Sequence, residues 1–506
     1  KGYRTIVADA DPSAPGVPLA DAFEKIDLKD KDGMLDAARR HRVAAGLDGV
    51  FTAGTDFSAT VAYVAEQLGL PGVSYEVALN ASDKARMRAC FRRAGVPHPR
   101  FAVVDGASRP AADVPCDHLN DLTLPVVVKP VDNMGARGVV KIVDRAALSE
   151  AIGDASRFAR SGRVIVEEFI EGPEFSIDSV VVNGRVIPTG VADRHIRFEP
   201  YFVEVGHTIP TKISEADESD LLAVFADGVR ALGIENGVAK GDVFLGPDGP
   251  VVGEIAARLS GGYMSGWTFP LSSGVDLTGA ALDQALGIGP GSLEPSQTHT
   301  AAERALISCD GIVAEMVGVD CARKVEGVRE LFLRVSSGAA VRFPRNNVEK
   351  CGNVIAVAEE RETAVAAAER AIASMVVRLE PNTAETHRFL FSKRPPTHRC
   401  FPEIEDRVTG GHCEPLPGDA AFDASVCLRL ARPLPQHRDW SFRTAEESLG
   451  RLETLVDLRI VDQPTALDSW FFRAFARAGL QGALYVLDSV SSSPRTFAER
   501  LSECRG

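Results

Sequence analysis

Gly241-Asp-Val-Phe-Leu-Gly-Pro-Asp-Gly-Pro-Val-Val-Gly-Glu-Ile-Ala-Ala-Arg-Leu-Ser-Gly-Gly262 decides the reading of this 506-residue chain. Two apolar stretches flank the turn dipeptide Asp248-Gly249, so the segment is expected to fold back as a hairpin. That pairing sets Asp242 and Glu254 on adjacent strands near the open end. Two carboxylates inside apolar strands are costly to bury unless a cation neutralises them. Magnesium bridging triphosphate oxygens suits the pair, because it takes one or two carboxylates and fills its other positions with phosphate or water. Arg258 follows Glu254 by four residues and leads into Ser260-Gly261-Gly262, a natural clamp for a carboxylate or phosphate. Taken alone, the segment reads more readily as a surface hairpin with a salt bridge.

Two upstream stretches give that hairpin a context. Leu124-Pro-Val-Val-Val-Lys-Pro-Val-Asp-Asn-Met-Gly-Ala-Arg-Gly-Val-Val-Lys-Ile-Val143 places Lys129 on an apolar strand, followed by a loop with Gly135 and Gly138. Glycines let backbone amides approach an anion and the lysine adds a fixed charge, although two loop glycines also make a plain tight turn. Val164-Ile-Val-Glu-Glu-Phe-Ile-Glu-Gly-Pro-Glu-Phe-Ser-Ile-Asp178 reads as a buried strand, a kink at Gly172-Pro173 and a second strand carrying Glu174. Such a hinge offers backbone donors and acceptors to an adenine edge, with a carboxylate beyond it for ribose hydroxyls. The plain reading is a solvated acidic edge.

In this order and spacing, together with Ser82-Asp-Lys-Ala-Arg-Met-Arg88, these elements resemble the ATP-grasp superfamily over roughly residues 1–392. The resemblance implies that Lys84 and Lys129 contact ATP phosphates, that Glu167, Glu168, Phe169 and Ile170 read the adenine, and that Glu174 holds the ribose. It implies Asp242 and Glu254 as magnesium ligands and Arg258 as the residue on an acyl-phosphate. Many members carry Asn two residues after the Glu of the metal pair, where this chain has Ala256. The cofactors implied are therefore ATP and one or two magnesium ions, with manganese as a substitute. The Glu-x-Ala-Ala-Arg form looks like the L-amino-acid ligase branch, as does 192–211, whose Arg194, His195, Glu204 and His207 are candidates for binding a carboxylate or ammonium, with Ser260 and Gly261 beside them. For the two histidines, a structural imidazole is an equal reading.

The implied activity is an ADP-forming ligation of a carboxylate, of an amino acid in that branch, to an amine. A purine-metabolism-type ligase and a nucleotide-binding regulator without turnover are the alternatives. A carboxylase has less support, because no biotin-attachment Met-Lys-Met is present. The net charge of -14 argues against nucleic acid or an anionic membrane as partner. No apolar run reaches the roughly 20 residues of a membrane span. Nine scattered cysteines fit reduced thiols in a cytoplasmic protein. The partners expected are small acids and amines.

The fold class expected is α/β plus α+β in several domains. Residues 1–82 alternate strand (5–9), helix (32–40), buried strand (49–53) and helix (58–68), a Rossmann-like unit whose first strand and helix are missing from this numbering. The ATP-grasp domain spans 83–300, with hairpin turns at Asn183-Gly184 and Asp248-Gly249. A lid subdomain spans 301–393 with a helix at 363–375. Arg394-Pro395-Pro396 then marks a linker. Residues 397–506 are expected to be an additional domain, with strand-like 424–431 and helical 445–455, serving as a homodimer contact, a lid or a second activity.

Overall fold

The computed structural model describes residues 2–106, 116–409, 437–456 and 467–503, so the strand expected at 424–431 lies outside the described residues. The chain divides into two compact units, Lys1–Ala301 and Ala302–Gly506. The Rossmann-like and ATP-grasp segments therefore share one unit, and the lid shares the other with the tail.

The first unit opens with a parallel pair, β1 (Ile6–Asp9) and β2 (Ala22–Lys25). Helices follow at Lys31–Ala45 and Ser58–Leu68. Residues 49–53 are half-buried and are not a strand. Their backbone is engaged elsewhere: the Ala53 carbonyl accepts from the Leu259 amide at 3.1 Å. Asp83 caps the helix Lys84–Ala94 through the Arg86 amide, which puts Lys84 in its first turn.

Two antiparallel sheets come next. The smaller contains β3 (Phe101–Asp105), β4 (Val126–Pro130), β5 (Val140–Ile142) and β6 (Arg163–Glu168), ordered β3-β6-β4-β5. The larger contains β7 (Glu174–Val182), β8 (Arg185–Arg197), β9 (Val203–Ile209), β10 (Gly237–Gly246) and β11 (Gly249–Ala256), ordered β11-β10-β7-β8-β9. Asn183 and Gly184 both have positive φ, as a two-residue hairpin turn between β7 and β8 demands. The β10–β11 hairpin forms too, but its loop is Pro247-Asp248, closed by Gly246 facing Gly249. Proline fixes φ at the first loop position, which draws the turn one residue towards the N-terminus.

Strand alternation gives the larger sheet two chemically different faces. Phe175, Ile177, Val191, Val243 and Ile255 form a core with Leu221, Phe225 and Val229 of the helix Glu215–Leu232. Gly241 is on that side because a Cβ there would lie 2.5 Å from the Phe225 ring. The other face is polar and carries the candidate site.

The second unit holds β12 (Thr300–Leu306), β13 (Gly311–Val317), β14 (Val328–Leu333), β15 (Ala340–Val341), β16 (Gly352–Ala358) and β17 (Val376–Leu379), with a helix at Arg361–Ser374. The tail is not a separate domain. Its helix Leu467–Ser492 supplies Arg477, which bonds Glu405 at 2.7 Å and the carbonyls of Leu390 and Ser392 at 2.9 Å. Asp488 takes a bidentate pair from Arg378 at 2.6 and 2.8 Å. The buried Gln481 side chain donates to Ser308 Oγ and the Val377 carbonyl at 2.7 Å and accepts from the Cys309 amide at 3.0 Å. Phe471 and Phe475 are fully buried, and the helix Ala445–Leu455 forms as expected. Gln481→Ala is expected to destabilise this unit by about 2–3 kcal/mol, since three buried partners lose their bonds. Denaturant unfolding followed by a probe in residues 302–392 checks it, and an unchanged midpoint would make the helix an independent body.

Candidate active site

The polar face of the larger sheet is a row of charges set by register. Asp242 lies directly opposite Glu254 on one side and Ser176 on the other, and Glu174 lies opposite Arg194. Ser176 Oγ donates to Asp242 Oδ1 at 2.9 Å, and Lys240 Nζ reaches Asp242 Oδ2 at 2.5 Å. Arg194 gathers three carboxylates: it pairs with Glu174, with Asp242 at 3.3 Å and with Glu204 at 2.9 Å. Lys84 bridges towards the glycine loop, its Nζ standing 3.4 Å from Glu254 and donating to the Asn133 carbonyl at 2.9 Å. Arg258 is buried, with one nitrogen donating to the Leu259 carbonyl at 2.8 Å.

The facing carboxylates Asp242 and Glu254 are held ionised against the pull of burial. Burial favours a neutral Glu254, but Lys84, then Lys240 and Arg258, outweigh it and hold the carboxyl well below the usual range. Burial likewise acts against the Asp242 charge, and Arg194 and Lys240 reverse its effect. Glu174 goes the other way: burial, reinforced by Asp242, raises it despite Arg194. A facing pair of ionised carboxylates, Asp242 buried and Glu254 partly exposed, among fixed cations is a donor set that fits magnesium carried by a polyphosphate.

In the hinge, the Glu167 side chain is buried between Lys129 at 2.5 Å and Arg88 at 2.7 Å, which leaves its backbone as the group for an adenine edge. Burial would raise its pKa, but Arg88 and Lys129 lower it. Its placement under the sheet fixes the Lys129 ammonium, and Lys129 itself is only partly exposed. The Glu168 carboxylate is held by the Thr123 amide at 3.0 Å and Arg100 at 3.2 Å. The Phe169 ring carries Lys141 3.8 Å from its centroid and neighbours Phe202. Ile170 packs where the hinge meets the end of β10, its Cγ2 3.2 Å from the position of a Cβ on Gly246. Gly135 and Gly138 both have positive φ, and the loop's Arg137 bonds Asp56 at 3.2 Å.

Arg194, Glu204 and His207 come together, with Gly262 of the Ser260-Gly261-Gly262 loop against them, whereas His195 does not join them. Arg194 and His207 face each other in register, His207 Nε2 is 3.4 Å from Glu204 Oε2, and Glu204 Oε1 lies 3.1 Å from where a Cβ on Gly262 would stand. His195 is on the opposite face of β8, bonded to Thr208 Oγ1 at 2.9 Å. Asp178, Lys240 and Arg88 escaped the sequence reading. Asp178 is fully buried and accepts from the Ser260 amide and Oγ at 3.0 and 2.9 Å and from Ser265 Oγ at 2.5 Å, so it clamps both ends of the Gly261-Gly262 loop. The signal was present: Glu174, Ser176 and Asp178 are polar at every second position of an apolar strand. A cavity of about 480 Å³ lies at the other end of β7 and β10, lined by Val50, Phe51, Val182 and Gly237. None of the charged groups above lines it.

Two antiparallel sheets, with lysines converging from β4 and a helix start on a facing carboxylate pair, define the ATP-grasp class. The sequence profile of the ATP-grasp domain matches residues 122–266, and that of the L-amino acid ligase C-terminal domain 2 matches residues 304–380. A D-alanine–D-alanine ligase of Azoarcus sp. is 31% identical over 217 residues, 40% of this chain and 67% of that protein. An uncharacterized protein of Sinorhizobium fredii is 28% identical over 383 residues, 74% of this chain and 78% of its own length. The L-amino acid ligase of Bacillus licheniformis shares the fold with a TM-score of 0.63 at 23% identity, over 73% of this chain and 91% of that one. The chain belongs to the ATP-grasp ligases. Among the described residues, no helix is long and apolar enough to cross a membrane.

Proposed function

We propose that the protein joins the carboxylate of an amino acid to an amine through an acyl-phosphate, releasing ADP and phosphate. The observation that carries this reading is the Asp242–Glu254 pair, kept ionised beside Lys84, Lys240, Arg194 and Arg258. A purely structural hairpin has no use for so many buried charges, and replacing them with apolar groups is often neutral or stabilising. Bound magnesium supplies charge neutralisation at the phosphates. Lys84 and Lys129 hold the phosphate oxygens, Lys129 in the place Glu167 fixes for it. The Phe169–Ile170 hinge takes the adenine and Glu174 the ribose.

The substrate carboxylate oxygen attacks the γ-phosphorus, the bond to the β-phosphate oxygen breaks, and ADP leaves. Arg258 orients the acyl-phosphate. Glu204 and His207 hold the incoming ammonium beside Gly262, and Glu204 accepts the proton whose loss makes it a nucleophile. Nitrogen attack on the acyl carbon then breaks the carbon–oxygen bond to phosphate, which leaves carrying the second amine proton. Catalysis is mainly positioning and charge neutralisation, with no protein nucleophile. ATP consumption should require both an acid and an amine and yield ADP, which a coupled ADP-release assay over amino acid and amine pairs measures. AMP and pyrophosphate as products would rule the reading out.

A further inference from the structure

Lys240 faces Asp178 on one neighbouring strand and Ala256 on the other, with Asp242 two residues along on the same face. Its ammonium is 2.5 Å from Asp242 Oδ2, and the side chain is only 12% exposed. Among the charges acting on Glu254, it ranks second after Lys84. Lys240 therefore serves both members of the carboxylate pair.

The oxygens around it are few. Asp242 gives Oδ1 to Ser176 and Oδ2 to Lys240 and Arg194, and Glu254 gives Oε2 to Lys84. Ala256, on the same face beside Glu254, adds only a methyl group. No cluster of three or more His, Cys, Asp or Glu side chains able to hold a metal occurs among the described residues. Two ions sharing a carboxylate site sit about 3.5–4 Å apart. A second ion on Asp242 would have to displace an ammonium already bound to that oxygen.

We propose that Lys240 stands in for a second divalent ion, so that one ion, brought by the nucleotide, completes the site between Asp242 and Glu254. This rests on the ligase reading above. It predicts the composition of the nucleotide complex rather than its rate. The lysine keeps Asp242 compensated before the nucleotide arrives, which a metal that comes and goes cannot do.

Bound Mn2+ can be counted by electron paramagnetic resonance on the full chain with a non-hydrolysable ATP analogue. The wild type should bind one ion per chain up to millimolar Mn2+. Lys240→Met, which removes the charge and keeps the stem, should take up a second ion at least tenfold more weakly than the first. Lys240→Arg should return the count to one. Two ions in the wild type would overturn the proposal whether or not the variants fold, and so would a count of one in a folded Lys240→Met. No nucleotide-dependent uptake at all would overturn the ligase reading with it, whereas the other two failures leave that reading intact.

Discussion

Glu254→Gln is expected to lower turnover by at least about a thousandfold, roughly 4 kcal/mol of transition-state stabilisation, while the protein stays folded. Glutamine has the same shape and removes only the charge. That charge is the one that Lys84, Lys240 and Arg258 hold ionised against burial. The side chain is 26% exposed and lies on the face away from the Phe175–Phe225 core, so packing loses little. What is lost is half of the facing pair with Asp242, leaving Lys84 without its carboxylate 3.4 Å away. Steady-state rates at saturating magnesium, alongside a thermal melt, separate the two effects. A rate within tenfold of wild type would remove Glu254 from the metal, and a collapsed melting temperature would make it structural.

The hairpin bearing that residue was legible because its signals are local. Apolar residues flank Pro247-Asp248-Gly249, and a two-residue loop brings the ends carrying Asp242 and Glu254 onto adjacent strands. Their direct facing is set by a bulge between Asp242 and Val243, since the register of the loop alone would put Asp242 opposite Gly253. Glu167 was not legible in the same way. From the sequence, only the hinge backbone had a role, and this carboxylate had no partner of its own. The pairing of β6 with β4, which brings it to Lys129, is not written in its neighbours. His195 and His207 show the same limit across β8 and β9: adjacent Arg194 and His195 take opposite faces, and only the register says which one joins His207.

The tail failed for a related reason. Arg394-Pro395-Pro396 was read as a linker, but the two compact units divide at Ala301 and Ala302 rather than there. The contacts that join the tail to the preceding strands connect residues more than 100 positions apart, 110 for Arg378 and Asp488 and 173 for Ser308 and Gln481. Of the aromatic residues read as an independent core or a surface for another subunit, Trp440, Phe471 and Phe472 are buried within the second unit itself and Trp470 is half-buried. Non-local pairing of that kind leaves no period in the sequence.

Arg258→Lys keeps the charge and should still slow the reaction severely, by on the order of 2–4 kcal/mol, comparable to removing a charged oxyanion donor. The guanidinium has five donors in a rigid fork, of which one bond is spent on the Leu259 carbonyl at 2.8 Å. The remainder can present two parallel N–H groups to a carboxylate or an acyl-phosphate oxygen pair. A lysine ammonium is a point charge on a flexible stem and cannot hold the carbonyl and offer a planar pair together. Its charge still supports ionised Glu254, so the metal–nucleotide site should survive. ATP affinity, measured by calorimetry with a non-hydrolysable analogue, is therefore expected to change by less than about threefold, well under the 1.4 kcal/mol of a tenfold change, while kcat falls roughly 30- to 1,000-fold. If ATP affinity fell as far as turnover, Arg258 would belong to the nucleotide rather than to the acyl-phosphate.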